Sequence, residues 1–137
     1  CVFCRLVDGS LPAAFVYRDD RVVAFMDAGQ VNDGHVIVAT VRHVETIYGI
    51  DDDEAASAFR LAARLARAVK REFGAAGVSI LQANEPAGFQ TVPHFHLHVL
   101  PRHPGDGVAL EWPAKRPPFE RLAALGERVR SAMASPG

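Results

Sequence analysis

His94-Phe95-His96-Leu97-His98-Val99-Leu100, bounded by Pro93 and Pro101, is the run that decides how this chain folds. In an extended strand successive side chains point to opposite faces, so His94, His96 and His98 share one face while Phe95, Leu97 and Val99 share the other. A helix would bring His94 and His98 together but carry His96 away from them, and the flanking prolines leave little room for one. The run is read as a strand with an imidazole face and an apolar face.

Working outward, residues 78–83 form a neighbouring strand, joined to it by the polar loop of residues 84–91. Residues 15–17 and 22–27, rich in β-branched and aromatic residues, form a hairpin across Arg18-Asp19-Asp20-Arg21. Another strand covers residues 35–41 and is entered through the turn chemistry of Asn32-Asp33-Gly34. Between these strands the period changes. Phe59, Ala62, Ala66, Val69 and Phe73 follow helical spacing, Asp51 and Glu54 match a capping box, and Gly74 is placed to end the helix. Residues 1–7 read as a turn or two of helix, stopped by Asp8-Gly9-Ser10-Leu11-Pro12. Residues 119–133 read as a last helix behind a proline-rich stretch around Trp112. The expected fold class is α+β: a five-stranded antiparallel meander with a long helix packed on it. A single domain spans residues 1–137, with its core in 1–107 and a C-terminal extension in 108–137.

The 137 residues are 49% hydrophobic and carry a formal net charge of -1, with acids and bases interspersed. That balance gives no electrostatic footprint for a nucleic-acid polymer, so any phosphate partner is expected to be small. No run approaches the roughly twenty apolar residues of a membrane span, and no charged-then-apolar leader precedes Cys1. A cytoplasmic protein without a membrane partner is the expectation.

Same-face histidines on a strand lie about 6.6 Å apart, close enough for three to serve one metal or one phosphate. A neutral imidazole can attack phosphorus while a neighbouring one stabilises charge on the phosphoryl oxygens or protonates a leaving group. A purely metal-based reading also fits His-X-His, although no nearby acidic run supplies a further ligand or base. Cys1-Val2-Phe3-Cys4 can clip one tetrahedral zinc if two more ligands arrive from elsewhere; free thiols are the alternative, and a disulfide is unfavoured in a reducing compartment.

The histidine run resembles the alternating signature of the histidine triad superfamily of nucleotide hydrolases and transferases. Residues 19–27, 32–38, 42–43, 90–93 and 101–102 extend the resemblance, in family order, over residues 1 to about 107. The resemblance implies that His96 attacks the α-phosphorus of a nucleoside phosphoramidate or dinucleoside polyphosphate and that water resolves the nucleotidyl-histidine. His98 would contact phosphate oxygens, His35 would support the histidine network, and Gln90 and Thr91 would hold the phosphate or leaving group. Asp27 would accept hydrogen bonds from the ribose hydroxyls, Asn84 would bind near the phosphates, and Phe3, Leu6, Phe25 and Val38 would wall the base of a purine ribonucleotide. Cys1, Cys4, His43 and His94 would hold a structural zinc. The resemblance also implies a homodimer and no organic cofactor. A nucleotide-binding regulator with little turnover and a histidine-metal hydrolase are the other readings. Ala28 and Ala39-Thr40-Val41 depart from the family pattern, and His103 has no assigned role.

Overall fold

The computed structural model describes residues 1–135. It divides into a compact unit, Cys1–Asp106, and a second, Gly107–Gly137. The first holds α1 (Val2–Val7), β1 (Phe15–Arg18), β2 (Val22–Met26), β3 (Val36–Thr40), α2 (Asp52–Glu72), β4 (Gly77–Gln82) and β5 (His96–Arg102), with 3-10 turns at Ile47–Gly49 and Pro86–Gly88. The second holds α3 (Phe119–Ala134).

The five strands form one antiparallel sheet in the order β1-β2-β3-β5-β4. The fold class is the expected α+β. After β3 the chain runs through α2, lays β4 at the edge, and returns to insert β5 between the two, so the histidine strand is central. Its register sets His96 beside Ala39 and His98 beside Ile37.

Both faces of this sheet are covered, which is why β2 and β3 are buried along nearly their whole length. On one face Val22, Ala24, Val36, Val38, Phe95, Leu97 and Val99 meet Ala58, Leu61, Ala62 and Val69 of α2. On the other, Val23, Phe25, Ile37 and Ala39 meet Phe3 of α1. The period-2 alternation therefore separates two cores, and the imidazoles lie on the α1 side.

The capping box of α2 is formed as expected: Asp51 accepts from the Glu54 N–H while Glu54 accepts from the Asp51 N–H. Arg42 completes it, donating twice to Glu54 at 2.8 and 2.7 Å. The buried stripe of α2 differs from the expected one. Ala58, Leu61, Ala62 and Val69 face the sheet, whereas Phe59 and Phe73 stay 47% and 41% exposed. Each residue advances about 100° around a helix. Seating the small Ala58 and Ala62 against the sheet lets the backbones approach and turns Phe59 outward.

Two local devices set the loops between strands. Asp19 accepts from the N–H groups of Arg21 and Val22, which closes the β1–β2 hairpin. Gly34 sits at φ +97, and a Cβ there would overlap the Phe73 ring. Gly34→Ala is expected to lower stability by about 2 kcal/mol, combining a left-handed backbone with overpacking. Gly74→Ala, at φ +59 with open space around it, should cost less than half as much. Urea midpoints of the two variants check the contrast.

Candidate active site

The site is built on the centre of the sheet, where β5 passes β3. The strand begins at His96 rather than at His94. The His94 N–H turns back to the Val92 carbonyl at 2.8 Å, and the Phe95 N–H donates to Val44 at 2.7 Å, so the N–H groups of two positions expected to pair within the sheet are bound to loops instead, while the Phe95 carbonyl still accepts from Thr40 of β3 at 3.4 Å. His94 still points to the α1 side, where Phe3 meets the rings of both His94 and His96 edge-on.

Each buried imidazole has a fixed proton arrangement or a shared proton. His96 Nδ1 lies 2.6 Å from the His94 carbonyl. A carbonyl only accepts, so Nδ1 carries the hydrogen and Nε2 keeps its lone pair. His35 Nε2 and His98 Nδ1 face each other at 2.9 Å with one proton between them. The Asp27 carboxylate lies 3.4 Å from the first and 3.8 Å from the second. The ring centroids of His96 and His98 are 5.0 Å apart.

Burial holds all of these imidazoles below their ordinary range. It pushes His98 down to about 4, helped by the neighbouring His96 and His35 and opposed by Asp27. His35 and His96 are lowered for the same first reason. At neutral pH His96 therefore presents an uncharged, unprotonated Nε2, the form in which imidazole is a nucleophile.

Gln30, absent from the expected site, organises the loop that carries Asp27 and His35. Its amide N–H groups donate to the carbonyls of Asp27 and His35, and its oxygen accepts from the N–H groups of Gly34 and His35. No spacing rule marks such a residue, because its partners are backbone atoms.

Beside the imidazoles lies a cavity of about 420 Å³, within the range typical of small-molecule pockets. Phe3, Leu6, Phe25 and Ile37 supply apolar walls, and Asp27 supplies the charged side chain of the lining. Three of the four expected wall residues are present. Val38 is not, because its side chain faces the α2 core and alternation gives the place to Ile37. A second cavity of about 340 Å³, lined by Val16, Leu65, Val69 and Phe73 among others, lies on the opposite side of the sheet, against α2.

Cys1, Cys4, His43 and His94 converge on the far side of His96. His94 Nδ1 lies 3.3 Å from Cys1 Sγ, 3.6 Å from Cys4 Sγ and 3.3 Å from His43 Nδ1. The other nitrogen of His94, Nε2, donates to the Thr40 carbonyl at 2.7 Å, leaving the Nδ1 lone pair aimed at the cluster. Two thiols and two imidazole nitrogens at these separations match the donor set and spacing of tetrahedral zinc, whose ligands stand roughly 3.3–3.8 Å apart.

The loop before β5 is placed differently from expectation. The Asn84 amide exchanges two hydrogen bonds with Gln82 and accepts from the Ile47 N–H. The Gln90 amide accepts from Glu85 and donates to the Glu45 carbonyl. Both side chains hold the loop, each through its amide oxygen and one donation from its amide nitrogen. Thr91 is exposed. Glu85 and Phe89 adopt φ of 63° and 75°, conformations costing a non-glycine residue about 1–3 kcal/mol each.

A model of the HIT domain matches residues 8–105 of the chain. The fold is similar to the crystal structure of a HIT-family protein from Bacillus subtilis, at 34% identity and a TM-score of 0.92, covering 99% of each chain. It is also similar to a zinc-bound histidine triad family protein from Mycobacterium smegmatis, at 32% identity and a TM-score of 0.75, covering 96% of each. Adenosine 5'-monophosphoramidase of Saccharomyces cerevisiae is 29% identical over 130 residues, 94% of this chain and 80% of the yeast protein.

The lowered imidazoles set a pH dependence. A depressed folded-state pKa means that the unfolded chain binds more protons, so the stability contributed by neutral His35 and His98 is complete above about pH 6.5 and is lost as pH falls toward about 4. The urea midpoint is expected to fall across that window, and His98→Asn should flatten the fall.

Proposed function

This chain belongs to the HIT domain family, and from that premise we propose that it is a nucleotide hydrolase or nucleotidyl transferase cleaving at the α-phosphorus of nucleoside phosphoramidates or dinucleoside polyphosphates. The observation that carries the reading is the His96 ring, uncharged at neutral pH and tied through Nδ1 to the His94 carbonyl so that Nε2 is the free nucleophile. The phosphoramidase activity named for the yeast relative supports the same substrate class.

In the proposed reaction His96 Nε2 forms a bond to the α-phosphorus as the bond to the amine or phosphate leaving group breaks, and the leaving group takes up a proton from solvent. Water then attacks the phosphorus and releases a proton to solvent, the phosphorus–nitrogen bond to His96 breaks, and a nucleoside monophosphate leaves. His98 supports charge on the phosphoryl oxygens, and its link to His35 fixes the ring for that contact. Asp27 accepts from the ribose hydroxyls, with the apolar cavity holding the base. Because Asp27 is the charged group of that lining, the pocket selects a ribonucleotide more strongly than a particular base. Thr91, exposed at the loop end, orients the leaving group; Asn84 and Gln90 act by holding the loop.

Cys1, Cys4, His43 and His94 are proposed to hold zinc. Bound there, zinc would supply structural cross-linking of α1 and the residue 43 loop to the start of β5. We also place the chain in the cytoplasm, consistent with the finding that no described helix is long and apolar enough to cross a membrane. A homodimer is proposed through the β4 edge, where Ile80 and Leu81 are 40% and 37% exposed.

Rapid quenching with an adenosine phosphoramidate, followed by intact-mass analysis under non-acidic conditions, is expected to trap a nucleotidyl adduct on His96. His96→Ala should lose turnover by at least about a thousandfold while still binding the nucleotide product. Full activity in that variant overturns the assignment, and firm product binding without adduct or turnover points to a regulator. Dialysis against a chelator is expected to lower Tm by roughly 5–10 °C; an unchanged Tm with no metal in the dialysate counts against zinc.

A further inference from the structure

We propose that Phe89 is a specificity-determining residue that stacks against the leaving group, favouring substrates whose departing half carries a flat aromatic ring. This rests on the reading of the site as one that cleaves at the α-phosphorus.

Phe89 is a large apolar side chain left 86% exposed, in the left-handed region at φ 75 and ψ 22. Neither property is favourable by itself, and among the described residues no ring stacks on it. The loop nevertheless enforces the conformation. The Phe89 N–H donates to the Pro86 carbonyl, while the N–H groups of Gly88 and Gln90 both donate to Glu85. The Gln90 amide spans the loop from Glu85 N–H to the Glu45 carbonyl, and Tyr48 donates to the Glu85 carboxylate. A strained, pinned and exposed aromatic residue is costly unless something outside the chain uses the ring.

Its anchoring ties it to the histidine strand. Glu45, which anchors Gln90, follows Val44, whose carbonyl accepts the N–H of Phe95 between His94 and His96. The platform carrying Phe89 is thus fixed to the same segment that fixes the start of the histidine strand. The base cavity is walled separately by Phe3, Leu6, Phe25 and Ile37, so Phe89 is not part of it. The remaining organic part of a phosphoramidate or dinucleotide substrate is its leaving group. A flat ring there can come from an aromatic amine or from a second nucleobase.

Two substrate pairs distinguish these sources. One compares adenosine phosphoramidates of phenethylamine and of its saturated cyclohexyl counterpart. The other compares diadenosine triphosphate with an analogue lacking the second base. Wild-type protein is expected to favour the aromatic member of at least one pair by roughly two- to tenfold in kcat/KM, expressed in KM. Phe89→Ala should bring that ratio near one, and Phe89→Tyr should keep it. Each ratio cancels general losses of folding or nucleophilicity. A ratio near one in the wild type for both pairs, or one unchanged in Phe89→Ala, overturns the proposal. If nothing is turned over, the reaction reading has failed, and the dissociation constants of the same pairs still decide whether Phe89 selects a ring.

Discussion

A buried imidazole must find a partner for each nitrogen that carries a proton, and this chain places several side by side. The answer shapes the surrounding structure. His94 gives its proton to the Thr40 carbonyl, His96 gives its proton to the His94 carbonyl, and His35 and His98 share one between them. What remains is a lone pair on His94 facing the thiols and another on His96. The backbone is therefore an active component: two of the three arrangements end on main-chain oxygens, one at the end of β3 and one just before β5. A carbonyl cannot donate, so neither arrangement can reverse without breaking the contact.

The sheet also separates two tasks that a small domain must otherwise combine. The α2 face is a conventional apolar core in which Phe95, Leu97 and Val99 meet the helix. The α1 face holds the smaller core of Phe3, Val23, Phe25, Ile37 and Ala39, next to the imidazoles and the base cavity. Loss of packing on the first face threatens the fold, whereas change on the second alters the pocket while the larger core stays intact.

The strands and their faces were readable in the sequence because a period of two leaves a sharp signature, and the capping box of α2 was readable because its partners are three residues apart. The orientation of α2 was not. Phe59 fits the apolar spacing as well as Ala58 does, and only the distance between helix and sheet decides between a phenylalanine and an alanine at the contact. The departure of His94 from the strand was hidden for a related reason. Its alternation is intact, but Pro93 removes a ladder donor and Val44 captures the Phe95 N–H. Gln30 and Thr40 act through backbone contacts, which leave no trace in residue spacing. Asn84 and Gln90 carry side chains suited to phosphate, yet loop closure occupies them. Convergence of Cys1, Cys4, His43 and His94 was proposed from resemblance, and the geometry brings the four together.

The short helix α1 has a dynamic consequence. Six residues are too few to remain helical alone in water, so its order depends on Phe3 against the rings and on the cysteines at its start. It is thus a local unfolding unit distinct from the sheet, able to open at a free-energy cost well below that of global denaturation. Since Val2, Phe3 and Leu6 form one wall of the cavity, the amides of α1 and the openness of that cavity should fluctuate together, on a timescale separate from that of β5.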